Sequence, residues 1–232
     1  MTFMLSGSHL ITVRYSDPVP FRQYPARLMR DGGADTDANS VFAGLIESII
    51  NRAADILEII AQKADGIAKE VFVMPESEKK SPTVNYERAL IRIGLSGDVA
   101  SKARESLTTL WRLVAYAQQN IRQCTPELKE ALAAHAKDIS ALSDHAAFIS
   151  NKLQFLLDAT LGMINISQNN IIKIFSIAAV VFLPPTLVAS IYGMNFQHMP
   201  ELNWQWGYPL ALATMVLAAG VPIAYFKRKK WL

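Results

Sequence analysis

The sequence predicts a mainly α-helical membrane protein: a partial α/β piece, then long helices, one of which continues as the first of two transmembrane helices. Three observations carry this. Charged residues are scattered from Met1 to Lys173, whereas Ile174 to Phe226 holds one acid, Glu201, and no Lys or Arg. Apolar residues between Val41 and Arg122 recur at helical spacing. Finally, Ile174 to Tyr192 is apolar apart from Ser176, Thr186 and Ser190, and Tyr208 to Phe226 is apolar apart from Thr214, so both runs reach spanning length. Soluble cores rarely lack charges over two such runs.

Taken in order, Phe3 to Tyr15 alternates apolar and polar residues around Ser6-Gly7-Ser8, which predicts two short strands and a tight turn. A lone hairpin is marginal in water and needs further strands or a helix over it. Phe21 to Arg30 reads as a short helix broken by Pro25, and Asp31-Gly32-Gly33 to Asn39 as a linker. From Val41, the residues Leu45, Ile49, Ala53, Ile56, Ile60, Ala64, Ile67 and Val71 form a heptad seam. Pro75 and the polar run to Pro82 end that helix. A second runs from about Val84 to Arg122, with Val99, Ala103, Leu110, Val114, Ala117 and Ile121 near one face, and the two are expected to pack antiparallel.

Thr125-Pro126-Glu127 supplies a capping hydroxyl, a proline at the first helical position and an acid in the first turn. No proline then intervenes before Pro184-Pro185, and at 1.5 Å per residue the resulting rod is roughly 85 Å long, enough to cross a bilayer of about 30 Å and extend well beyond it. One helix is therefore both stalk and span. The loop Gly193 to Gly207 has no Lys or Arg, while Lys173 precedes the first span and Lys227, Arg228, Lys229 and Lys230 follow the second. The positive-inside rule then places both termini in the cytoplasm and the loop outside, in a cell inner (plasma) membrane. Trp204, Trp206 and Tyr208 suit the outer interface and Trp231 the inner one, as simple anchors.

The expected organisation is thus 1–38 as a fragment of a cytoplasmic α/β domain, 39–170 as a helical and stalk region, and 171–232 as the membrane region. Within the last, the spans lie at about 171–192 and 208–226, the outer loop at 193–207 and the basic tail at 227–232.

Several function classes are disfavoured. The formal charge of +3 comes mostly from the terminal basic quartet, and nothing else resembles a nucleic-acid patch. The single cysteine, Cys124, cannot form an intramolecular disulfide or a Cys-based zinc site. His9, His135, His145 and His198 lack metal-ligand spacing, and no acid-base pair or phosphate loop is evident, so the chain does not read as an enzyme and no cofactor is expected. Met1 to Leu10 has no signal-peptide pattern.

At Tyr192-Gly193-Met194-Asn195-Phe196 the sequence resembles the CorA family of magnesium and cobalt transport proteins, whose signature is Gly-Met-Asn at the outer end of the first span. The likeness continues through Met199-Pro200-Glu201-Leu202, Trp206-Gly207-Tyr208-Pro209 and the ending Tyr225-Phe226-Lys227-Arg228-Lys229-Lys230-Trp231-Leu232. The hairpin resembles the later part of the family's cytoplasmic sheet domain, so the chain is expected to be N-terminally shortened. The resemblance implies a homopentamer in a lipid bilayer, with the first span lining a central pore and the second outside it. It also implies influx of Mg2+, with Co2+ or Ni2+ as further cargo, and Mg2+ as a candidate gating ligand.

Steps of three and four residues from Asp158 pass through Asn165, Asn169, Ile172, Ala179, Leu183 and Thr186, which share one face. Phe175 lies beside that stripe and matches a hydrophobic gate position in the family. Gly193, Met194 and Asn195 form the selectivity loop, with Glu201 in the outer loop. Magnesium dehydrates reluctantly, so a selective mouth should offer neutral oxygens to its water shell, which a ring of Asn195 amides does. For Asn195 the other reading is a helix C-cap. For Asp158, a carboxylate ring drawing cations to the inner mouth stands beside a plain solvated stalk charge. Competing functions are a ZntB-like zinc transporter and a non-conducting, membrane-anchored helical scaffold.

Overall fold

The computed structural model of the chain describes residues 1–6, 8–33, 37–72, 82–121, 125–195, 199–200 and 204–229. Its elements are β1 (Thr2–Ser6), β2 (His9–Val13), α1 (Val19–Arg30), α2 (Ala38–Phe72), α3 (Pro82–Asn120), α4 (Pro126–Tyr192) and α5 (Gly207–Arg228). They form two compact units, Met1–Met163 and Ile164–Leu232, and α4 contributes to both.

In the first unit, β1 and β2 pair antiparallel with Ser6 opposite His9 and Thr2 opposite Val13. That register puts Phe3, Leu5 and Leu10 on one face, against the helical core. The Phe3 ring meets Phe42 edge-on at 5.6 Å and lies 6.1 Å from Phe21, while the Arg14 guanidinium sits 4.8 Å over the Phe21 ring. Helices α1 and α2 thus supply the cover that a lone hairpin lacks.

Helix α1 is continuous from Val19, which corrects the expected break at Pro25. The ring removes only one ladder bond, to the carbonyl of Phe21, close to the helix start where few such bonds exist. The expected linker also ends earlier, because the Asp37 carboxylate accepts the Ser40 amide at 3.0 Å and starts α2 at Ala38. Where α1 crosses α2, the Tyr24 ring lies directly over Gly44, and a Cβ there would fall 2.2 Å from the phenol oxygen. A side chain at Gly44 would therefore require the end of the Tyr24 ring to shift.

Helices α2 and α3 run antiparallel, tied near their junction by the ion pair between Arg92 and Glu70. Their seam differs from the expected one in two places. In α2 the C-terminal half follows the heptad, with Ile60, Ala64, Ile67 and Val71 buried. In the N-terminal half Phe42, Ala43, Ile46 and Ile50 are buried with Leu45, whereas Ile49, Ala53 and Ile56 sit partly covered on the flank. The cause is a change of neighbour, since that half also packs the hairpin and α1. In α3 the buried stripe is Ala89, Ile93, Ser96, Ala100, Leu107, Leu110, Val114 and Ala117, and Val99 is 43% exposed. Ser96 and Ala100, on either side of Val99, take the buried positions there.

Helix α4 begins as its sequence dictates: the Leu128 amide donates to Thr125 Oγ1 at 3.3 Å, and the Lys129 amide to the Thr125 carbonyl at 3.0 Å. In the first unit it adds Leu128, Leu132, Ile139, Ala146, Ile149, Leu153 and Leu156 to the core shared with α2 and α3. Lys152 pairs with Asp65 at 2.5 Å, and Phe155 stacks on Phe72 at 6.1 Å, so α4 lies beside the end of α2.

Candidate ion pathway

The second unit consists of the C-terminal part of α4, the segment after it, and α5. Helices α4 and α5 are the two that are long and apolar enough to cross a membrane. Water-exposed burial logic fails for such helices, so what matters is which positions of each are partly covered.

Along α4 the partly covered positions are Ile177, Ala178, Val181, Pro184, Pro185, Val188 and Tyr192. On α5 they are Ala211, Met215, Ala218, Ala219, Pro222 and Phe226, with Ala211 only 8% exposed. Each set repeats at three and four residues, which makes one partly covered stripe per helix. Pro184 and Pro185 lie inside α4 without ending it, on its partly covered side. A packed neighbour is the setting in which a span tolerates the loss of ladder bonds.

With successive side chains turned by about 100°, the covered stripe fixes the phase of the whole span. Ile172, Ala179, Leu183 and Thr186 fall on the opposite side of α4, with Phe175 next to them. All are exposed: Ile172 is 61%, Leu183 66% and Phe175 71% open. Asn165 and Asn169 continue the same side toward the start of the unit and are exposed as well. Of the residues singled out in this unit from sequence steps, Asn165, Ile172, Ala179, Leu183 and Thr186 thus share the face opposite the covered stripe, with Phe175 and Asn169 at its edges. Asp158, in the first unit, is exposed and accepts a hydrogen bond from Gln154 Nε2 at 3.2 Å.

The stripe continues to Ser190, one turn beyond Thr186, which the sequence reading passed over. The spacing alone would have found it. The Thr186 hydroxyl donates to the Phe182 carbonyl at 2.7 Å, leaving its lone pairs free to accept. No such bond occupies the Ser190 hydroxyl among the described residues.

Helix α4 closes at the Gly-Met-Asn segment. The Gly193 amide donates to Ala189 O at 2.9 Å, and the Met194 amide then tightens onto Ile191 O at 3.3 Å. Gly193 does not have a positive φ; its requirement is space. A Cβ there would lie 3.1 Å from the Ala189 carbonyl oxygen, tighter than ordinary contact. Asn195 follows as an exposed residue outside the helix, and among the described residues its amide makes no hydrogen bond to the helix end. A C-cap would need that bond. Its oxygen is open to an external partner.

At the other end, α5 runs through Lys227 and Arg228, so half of the basic quartet is helical rather than a free tail. Cations in a last turn complement the carbonyl end of the helix. Lys229 follows, with its Nζ 6.0 Å over the Tyr225 ring. Glu201, Lys230, Trp231, His198 and Cys124 lie outside the described residues.

The CorA-like Mg2+ transporter protein family profile matches residues 1–228. Among curated relatives, the magnesium transport proteins CorA of Yersinia pseudotuberculosis, Salmonella typhimurium and Escherichia coli K12 are each 36% identical over 232 residues, covering all of this chain and 71% of the relative. Among solved structures, the CorA magnesium transporter of Methanocaldococcus jannaschii superposes with a TM-score of 0.75 at 20% identity, over 94% of this chain and 67% of that one. At that identity the likeness speaks for the fold.

Proposed function

Because the chain belongs to the CorA-like Mg2+ transporter family, we propose that it conducts Mg2+ across a cell membrane, as a homopentamer whose α4 helices surround the pathway and whose α5 helices form the outer layer. The observation that carries this is the exposed stripe on α4 opposite its partly covered side. In a lipid-facing helix, Thr186 and Ser190, both inside the span and on one line, would turn their hydroxyl oxygens to hydrocarbon. Facing a shared aqueous axis, they meet water and ions instead.

In this reading, five Asn195 side chains ring the outer mouth and accept hydrogen bonds from the water shell of the ion, which Mg2+ gives up reluctantly. Thr186 and Ser190 offer hydroxyl oxygens below. Ile172, Phe175 and Leu183 form apolar constrictions that exclude water until the helices move. Asn169, Asn165 and the Asp158 carboxylates receive the ion at the inner end. Both termini are cytoplasmic, with Lys227, Arg228 and Lys229 at the inner surface, where the positive-inside rule places them. The membrane potential drives entry by about 4.6 kcal/mol per 100 mV for a divalent ion, twice the value for one charge. No chemical step is required.

The test is Mg2+ uptake by the purified chain in liposomes under an imposed inside-negative potential. Uptake blocked from outside by hexamminecobalt, a mimic of the hydrated ion, and abolished by Asn195→Ala supports the proposal. Preferential uptake of Zn2+ without such block would indicate a ZntB-like zinc transporter. Absence of any flux would leave a membrane-anchored helical scaffold.

A further inference from the structure

Between the end of the first unit and Lys173, α4 carries four carboxamides within six residues: Asn165, Gln168, Asn169 and Asn170. All four are exposed, and among the described residues none of these amides bonds to another group of the chain. Nothing in the composition of an ordinary span calls for that density.

The phase of the partly covered stripe sorts them. Measured from the covered stripe of Ile177, Val181 and Val188, Gln168 lies one turn before Ile172 and one turn after Asn165, on the side turned fully away. Asn169 sits at the edge of that side, and Asn170 is turned well off it. Gln168 is therefore closer to the centre of the face than Asn169, although stepping from Asp158 by threes and fours selects Asn169 and skips Gln168. Its side chain is also one methylene longer, so its amide reaches further from the backbone.

We propose that Gln168 is a further pore-lining residue, whose amide oxygen binds the water shell of the passing divalent cation on the inner side of the Ile172 constriction. This rests on the pore reading of α4. Asn165 and Gln168 then form consecutive rings of neutral oxygens about one-half turn to one turn apart along the axis, near 4.5 Å at 1.5 Å per residue. An aquated Mg2+, with its waters at about 2.1 Å from the metal, is wide enough to engage both rings at once. As an ion leaves a dry constriction, rings of this kind restore hydrogen bonds to its shell before it reaches bulk water.

The test uses the full chain in liposomes with a Cys124→Ser background. Gln168→Leu is expected to lower Mg2+ uptake roughly tenfold, the scale of one lost hydrogen bond to a charged partner, whereas Gln168→Asn keeps uptake within about twofold. Gln168→Cys and Asn165→Cys are each expected to lose uptake when a positively charged methanethiosulfonate is added to both sides, and Ile177→Cys, on the partly covered side, to be indifferent. Block at Asn165→Cys without block at Gln168→Cys would overturn this inference and leave the pore reading intact. Block at neither would overturn both. Unchanged uptake by Gln168→Leu would also sink the assignment of Gln168.

Discussion

At the scale of single residues, the account turns on groups whose partners are missing within one chain. Asn195 stands outside the end of α4 with an uncommitted amide, so Asn195→Ala should leave the helices intact. We expect it to reduce Mg2+ uptake at least tenfold, on the scale of a lost hydrogen bond to a charged shell, with an unchanged circular dichroism spectrum. Gly193 acts by absence of a side chain. Its Cβ position lies 3.1 Å from the Ala189 carbonyl oxygen, so Gly193→Ala must displace the turn that presents Asn195. Uptake should fall with little loss of thermal stability, and an active Gly193→Ala protein would show that the turn tolerates the shift. In the first unit, burial raises the Tyr24 phenol above its ordinary pKa, helped by Glu47 and opposed by Arg27. The neutral phenol over Gly44 therefore supports folding below the ordinary tyrosine pKa, and that support is lost as pH rises through the elevated value.

Element by element, local chemistry sets where helices start and which face they bury. Thr125→Ala removes the hydroxyl that caps α4 and should cost about 1 kcal/mol, read as a lower melting temperature. Leu57 is fully buried between helices, so Leu57→Ala should cost about 2–5 kcal/mol in the same measurement. The Asp37 cap of α2 adds a pH signature. Hydrogen bonds from Ser40, first from its side chain and then its backbone, hold the Asp37 carboxyl below its ordinary value. Its contribution is present above the ordinary carboxylate pKa and is lost as pH falls through the lowered one. Asp37→Asn, which caps without titrating, should flatten that acid limb of the stability profile, and an unaltered limb would remove Asp37 as its source.

The two spans, the start of α4 and the antiparallel pairing of α2 with α3 were legible in the sequence, because each depends on composition or on neighbours close in the chain. The Gly-Met-Asn segment and the stripe through Ile172, Ala179, Leu183 and Thr186 were legible for the same reason. What escaped was set by tertiary neighbours. The hairpin and α1 pull the buried side of α2 toward Phe42 and Ile46, and in α3 Ser96 and Ala100 take the buried positions on either side of Val99. Ser190 lay on the counted spacing and was passed over, whereas Gln168 escaped because helical phase over a long span drifts from any counted series. The partly covered stripe on α4 fixes that phase.

For the whole molecule, the proposed pathway makes a single chain incomplete, because its exposed α4 face needs copies around a shared axis. In the proposed pathway the apolar residues Ile172, Phe175 and Leu183 on that face form the constrictions that exclude water, so a polar replacement such as Ile172→Ser should raise resting uptake. Assembly and conduction follow from the same stripe, which one structure can examine. The most direct test is determination of the oligomer in a lipid bilayer mimic. The account predicts an axial passage with Ile172, Ala179, Leu183, Thr186 and Asn195 of every subunit around it, and α5 between α4 and the lipid. Those side chains turned toward the acyl chains, with α5 or no passage at the axis, would contradict it.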